Sequence, residues 1–490
     1  MDTINNLEPH SLWKYFEEIC RVPRPSGKED KIISWLTGFA EKHNLNIKKD
    51  DTGNILITKP AASGWENRKT VVLQSHMDMV CEKNSGTKHN FDTDPIIPVI
   101  DGEWVRANGT TLGADDGIGI AAQLALLASK DRKHGKIECL FTVDEETGLT
   151  GAFALKPGFF EGKILINLDS EDEGELFIGC AGGVDTIAAF EYDSEDIPPS
   201  HEAFRVRIGG LKGGHSGDDI HKGLGNSNKI LNRFLWNVNN RFEMKLAWFD
   251  GGNLRNAIPR EAEALFTVHR EDAGELKEYF RSFSGIVGGE LADADPGFRI
   301  SLDTAELPSL AIDEQTQLDL LHSLYACPNG VISWSPRIKD LVETSTNLAS
   351  VKFTGNKIII TTSQRSSSDS AKTDIASMVE SVFRLANAGI KRTGGYPGWK
   401  PDHNSEILSI SKSAYKKLFN RKPLVRAIHA GLECGLFLEK YPDLDMISFG
   451  PTIKGAHSPD EKLHIGSVQK FHQLLEEVLK NIPEKEEAGA

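Results

Sequence analysis

The sequence predicts an α/β protein interrupted by an inserted α+β domain. Three observations carry that prediction. Short apolar runs ending in polar loops alternate with helix-like segments over residues 54–168, the alternation stops after Gly182 and Gly183, and it resumes beyond the turn-rich segment GGYPGWKP at 394–401. A chain of 490 residues is also too long for a single core, because cores stop growing at roughly 250–300 residues.

Residues 9–20 place Leu12, Trp13, Phe16 and Ile19 at helical spacing, and a second amphipathic run covers 28–43 after a Pro-Ser-Gly turn. Residues 54–58 and 70–74 read as strands, 118–128 as an apolar helix, and 137–143 and 163–168 as further strands of a largely buried sheet. The middle region follows a different order, with strands at 204–208, 263–269 and 357–362 and helices at 228–238, 275–283 and 372–386. Strands at 424–428 and 446–449 and a helix at 467–479 close the chain. The expected organisation is therefore residues 1–186 and 394–490 in one domain, with 187–393 inserted as a second. Residues 483–490, PEKEEAGA, read as a polar tail.

Composition excludes several classes of function. Hydrophobic residues at 39% and charged residues at 26% are ordinary for a globular protein, which rules out a disordered or fibrous chain. A formal net charge of −15 without a basic run excludes a nucleic-acid partner, since nothing is available to track phosphates. The six cysteines are scattered with no Cys-x-x-Cys pair, so neither a disulfide scaffold nor a zinc ribbon fits. The first residues carry early acids and no long apolar run, which predicts no signal peptide, no membrane contact and a cytoplasmic location.

Five strand-to-loop junctions end in residues able to bind metal. His76-Met77-Asp78 follows VVLQS, and alternation along a strand sends His76 and Asp78 to the same face. GADDGIGIAA at 113–122 puts Asp115 and Asp116 at the start of an apolar helix, where either could serve as a cap, but two adjacent acids flanked by Gly113 and Gly117 favour a ligand over the cap. Asp144, Glu145 and Glu146 follow IECLFTV, a concentration of like charge that a cation would relieve and a solvated loop would also explain. Asp169 follows KILIN, and His457 follows DMISFGP across a short loop. Each junction is weak alone. Together they fit the tendency of open α/β sheets to bind ligands beyond the carboxyl ends of their strands.

Three further residues are candidates for holding substrate. Arg365 in TTSQRSSS offers a guanidinium fork that matches a terminal carboxylate, Asn256 in LRNAIPRE lies in a polar turn, and Glu433 in HAGLECG offers a partner for a free amine. A packed turn accounts equally well for Glu433.

The order HMD, GADDGIG, DEETG, NLDSE, GGHSG and HSPDE resembles the M20 family of metallopeptidases. The longer stretches GGHSGDDIHKGLGN, RNAIPREA, HAGLECGLF and FGPTIKGAHSPDE resemble its bacterial aminoacyl-histidine dipeptidase branch. The resemblance extends over nearly the whole chain. It implies a zinc-exopeptidase-like catalytic domain with a mixed sheet flanked by helices, and an inserted lid and dimerisation domain. It further implies two divalent metal ions, zinc with cobalt or manganese as substitutes, held by His76 and Asp169 on one side and Glu146 and His457 on the other, with Asp115 bridging. Asp78 is then the carboxylate behind His76, Glu145 the general base, and His215 the oxyanion donor in a homodimer. The implied reaction is hydrolysis of unblocked dipeptides, Xaa-His among them. The alternatives are an N-acyl-amino-acid amidohydrolase on the same site and a catalytically dead peptide-binding protein.

Overall fold

A computed structural model describes residues 4–485. The chain divides into two compact units: Met1–Gly179, Pro401–Ala427 and Leu432–Ala490 form the first, and Cys180–Lys400 with Ile428–Gly431 the second. These junctions differ from the expected 186/187 and 393/394. Gly182 and Gly183, read as a domain end, instead begin the strand Gly182–Glu191 and pair with Ser366 and Arg365 in the second unit's sheet. The strand Gly389–Tyr396 pairs with the same strand, so the start of GGYPGWKP is also sheet. Of the expected polar tail, residues 486–490 lie outside the described residues.

The first unit is built on an eight-stranded sheet among the described residues. Its spatial order is Asn46–Lys49, Ile55–Lys59, Ile137–Thr142, Val71–His76, Ile164–Asn167, Asp445–Ser448, Glu175–Cys180 and Leu424–Ile428. The central strands run parallel, with His76 opposite Thr142 and Gln74 opposite Asn167, and Ser448 opposite Asn167 on the next strand. Every residue of Val71–His76 and Ile137–Thr142 is buried. That explains their nearly continuous apolar sequences, because parallel strands are covered on both faces. The helices His10–Cys20, Asp30–Lys42, Ala114–Ala128, Glu406–Phe419 and Ile465–Lys480 contribute Phe16, Leu36, Leu124, Leu408 and Phe471 to the core around this sheet. A smaller sheet, Ile453–Lys454, Lys462–His464, Trp104–Arg106 and Val99–Asp101, holds both ends of the loop that carries His457.

The second unit is an antiparallel sheet with helices Ser227–Asn239, Ala273–Glu290, Glu314–Ala326 and Asp369–Leu385. Phe234 of the first of these helices meets the rings of Phe266, Tyr279, Phe280 and Phe283 within its apolar core. The strand Val342–Thr354 was not legible from apolar periodicity, because its buried Thr344, Ser345, Thr346 and Asn347 are polar. Each finds a hydrogen-bond partner, in Ser366, His429, Gln364 and the Ala257 carbonyl respectively, which removes the cost of burying them. Among the described residues no helix is long and apolar enough to cross a membrane.

Candidate metal centre

The centre is assembled at the carboxyl ends of the parallel strands. His76 is the last residue of its strand, Asp169 comes two residues after Asn167, and Glu145 and Glu146 open the short helix Glu145–Gly148 beyond Ile137–Thr142. Asp115 stands at the start of Ala114–Ala128, where its backbone (φ −84°, ψ 111°) and that of Asp116 are not helical. The capping role weighed for either aspartate belongs to Asp116, whose Oδ1 accepts from the Gly119 N–H at 3.1 Å. Asp115 is left free to face the imidazoles.

Its two oxygens divide between them. Oδ1 lies 3.1 Å from His76 Nε2, and Oδ2 lies 3.0 Å from His457 Nε2. His76 Nε2 is also 3.4 Å from Asp169 Oδ1, and His457 Nε2 is 3.0 Å from Glu146 Oε2. Two overlapping groups result, His76–Asp115–Asp169 and Asp115–Glu146–His457, each with ligand atoms within 4.8 Å of one another. Glu145 groups with His76 and Glu146 on the same criterion. His76 is buried, whereas the His457 side chain is 52% exposed, so the His457 side is the one open to solvent. His457 also sits at φ 62°, a left-handed conformation that a non-glycine residue adopts only where its surroundings hold it.

Three buried residues hold these groups in place. Asp78 lies 3.3 Å from His76 Nδ1 and accepts from the backbone N–H of Glu145 at 3.1 Å, the N–H of Glu146 at 3.2 Å and the Ser26 hydroxyl at 2.7 Å. One carboxylate thus faces the imidazole at ion-pair distance and ties down the acidic turn by hydrogen bonds. The buried Arg24 donates to the carbonyls of Met77, Asp78 and Gly113, joining the His76 loop to the loop before Asp115. Glu461 accepts from the N–H groups of Leu112, Gly113, Ala114 and Asp115 at 2.7, 2.9, 2.7 and 3.3 Å, and it follows His457 by four residues. Sequence reasoning assigned no role to Arg24 or Glu461. The only signals were the early PRPSG turn and the last acid of HSPDE, and neither reveals a clamp on distant backbone.

The electrostatics match a cation site. Burial, then Glu146, Glu433 and Asp115, push the Glu145 carboxyl well above its usual range against the pull of His76. Burial also raises Asp169, with Asp115 and Asp116 adding to it while His76 opposes. Hydrogen bonds to Asp115 and Glu146 raise His457 to about 11, and Asp169, Asp115 and Asp78 raise His76 despite its burial. Against burial, His76, Ser26 and the Glu145 N–H hold Asp78 down at about 2. Each imidazole Nε2 faces two carboxylates, although one N–H cannot serve both well. Glu146 Oε1 is buried without a hydrogen-bond partner. Imidazole nitrogens and carboxylate oxygens in such a cluster fit a divalent cation of the zinc type.

The remaining predicted residues divide between the two units. His215, Asn256 and Arg365 belong to the second unit. There Arg365 donates from Nε to Ser216 Oγ at 3.3 Å and from Nη1 to the Tyr396 hydroxyl at 2.9 Å, and its Nη2 lies 3.5 Å from His215 Nε2. His215 Nδ1 accepts from the Asp218 N–H at 3.2 Å. Asn256 contributes its carbonyl to the Ser216 N–H. Glu433 is in the first unit and is 0% exposed, with its carboxylate turned to Gln74 and Thr142.

Residues 72–481 match the model of peptidase family M20/M25/M40. The cytosol non-specific dipeptidase of Escherichia coli (strain K12) is 46% identical over 485 residues, covering 99% of this chain and 100% of the relative. The crystal structure of aminoacylhistidine dipeptidase from Vibrio alginolyticus superposes with a TM-score of 0.88 at 45% identity, covering 99% of each chain. Aminopeptidase PepT from Bacillus cereus shares the fold at a TM-score of 0.57 and 16% identity, covering 97% of this chain and 99% of its own.

One prediction concerns protons. Carboxylate neighbours raise the proton affinity of His457 and His76, so an incoming cation is expected to displace protons from them. Cation binding is expected to release protons, and affinity to climb from about pH 6 to about pH 8 by roughly tenfold per unit for each proton displaced. Calorimetry in buffers of different ionisation enthalpy counts them. Binding with no proton release contradicts the arrangement.

Proposed function

The chain belongs to peptidase family M20/M25/M40, and from that premise we propose how its residues perform the work of a metal-dependent dipeptidase on unblocked dipeptides, Xaa-His included. The observation that carries the reading is Asp115, whose two carboxylate oxygens face two different imidazoles with Glu145 alongside. In this reading His76 and Asp169 hold one divalent ion, Glu146 and His457 a second, and Asp115 both. Zinc suits the donor set, with cobalt or manganese as substitutes. Bound there, the ions supply Lewis acidity that activates water and polarises the scissile carbonyl.

The protein's own residues manage the proton. Glu145 takes it from the attacking water and returns it to the leaving amine, so the carboxylate is regenerated in each cycle. Asp78 fixes the direction of the turn by accepting the Glu145 N–H, and fixes His76 through Nδ1. His215 stabilises the oxyanion and Arg365 binds the substrate's terminal carboxylate, with Asn256 tied to the same cluster through its carbonyl on the Ser216 N–H. The second unit serves as lid and dimerisation domain of a homodimer. A cytoplasmic location accords with the cytosol dipeptidase to which the chain is similar. The N-acyl amidohydrolase alternative is not favoured, because the relatives at 46% and 45% identity over nearly the full length are both named dipeptidases.

Three outcomes test this reading. Glu145→Gln is expected to keep its bound metal while losing roughly 100- to 10,000-fold in kcat, and unchanged turnover with metal retained removes Glu145 as the base. Histidine release from an unblocked Xaa-His dipeptide should far exceed acetate release from N-acetylhistidine; exclusive deacylation defeats the dipeptidase assignment. Sedimentation should give a dimer, and a fully active monomer would rule out any contribution of His215 across an interface.

A further inference from the structure

Glu433 is buried more deeply than a substrate-binding residue needs to be. Its Oε2 accepts from Gln74 Nε2 at 2.5 Å and from the Thr142 hydroxyl at 2.7 Å. Gln74 Oε1 in turn accepts from Asn167 Nδ2 at 2.6 Å, and Asn167 Oδ1 accepts from the Ser448 hydroxyl at 2.5 Å. Thr142, Gln74, Asn167 and Ser448 lie on four adjacent strands of the first sheet, and all four are 0% exposed, as is Glu433. A row of polar side chains therefore crosses the sheet through its interior.

The row follows the ligand positions. Gln74 precedes His76 by two residues on one strand, Asn167 precedes Asp169 by two on the next, and Thr142 precedes Glu145 by three. Asn167 Oδ1 also accepts from the Asp169 N–H at 3.3 Å. A buried polar row with every group satisfied would be an ordinary way to fill an interior. This one contains a carboxyl, and its second oxygen, Oε1, is buried with no partner. A carboxyl in such a place is costly unless something beyond saturation of neighbours retains it.

We propose that Glu433 is a positioning residue. It closes a hydrogen-bonded rail that holds the strand ends bearing His76, Asp169 and the Glu145–Glu146 turn at the spacing their shared cations require. The proposal rests on the reading of the metal centre given above. Outer groups that orient ligands set metal affinity, and their loss typically weakens it by about 10- to 100-fold.

The experiment measures cation binding without substrate. Metal-stripped wild-type protein and the variants Glu433→Ala, Glu433→Gln and Thr142→Val are titrated with Zn²⁺ against a competing chelator, and with Co²⁺ to record its visible spectrum. Glu433→Ala should bind Zn²⁺ about 10- to 100-fold more weakly and alter the Co²⁺ spectrum. Glu433→Gln keeps the volume and an acceptor oxygen, so it should restore most of that affinity. Thr142→Val removes one rung at nearly constant volume and should weaken binding by a smaller factor, which keeps the test decisive if Glu433→Ala fails to fold. Equal affinity and identical Co²⁺ spectra in wild type and all variants overturn the proposal while leaving the dipeptidase reading intact. A rise in dipeptide KM with unchanged cation affinity also overturns it, by making Glu433 a partner of the substrate amine. Failure of the wild-type chain to bind either cation defeats the metal-centre reading itself.

Discussion

Concentrated negative charge at the carboxyl end of a buried sheet is the constraint on which the first unit depends. Asp78, Asp115, Glu145, Glu146 and Asp169 converge there with two imidazoles. Two like charges 4 Å apart repel by about 4 kcal/mol at an effective dielectric of 20, so such a cluster needs compensating partners. The fold answers with fixed donors. Asp78 takes two backbone N–H groups and a hydroxyl, and Glu461 takes four N–H groups from the loop that presents Asp115. These contacts keep the acids from relaxing apart, and a divalent cation is the remaining counter-charge that the donor set calls for.

Much of this arrangement was legible in the chain because it obeys local rules. The runs VVLQSH, IECLFT and ILIN are buried along their whole length and mainly apolar, as strands covered on both faces tend to be, and each delivers acid or histidine where the run stops. Positions of strands and ligands follow directly from that pattern. The resemblance among the motifs then supplied what local pattern cannot, namely which junctions face one another.

Other parts were illegible for physical reasons. Val342–Thr354 shows no apolar alternation over its buried residues 344–347, which find their partners in residues distant in sequence. Gly182 and Gly183 look like a domain end, yet they start the strand that pairs with Arg365 and Ser366. Arg24 and Glu461 act on backbone groups 53 to 349 residues away. A side chain whose partner is a distant peptide group leaves no spacing to read. Glu433 shows the complementary difficulty: its type invites a role toward substrate, whereas its environment, set by Gln74 and Thr142, is closed.

The contact between His457 and Asp115 spans 342 residues, and the Glu461 clamp on the same loop spans 349 at its longest. During synthesis the chain emerges amino end first, so His76, Asp115, Glu146 and Asp169 are all made long before their last companion. The first unit therefore has neither the imidazole that shares Asp115 nor the carboxylate that holds its loop until the last segment of the chain is made.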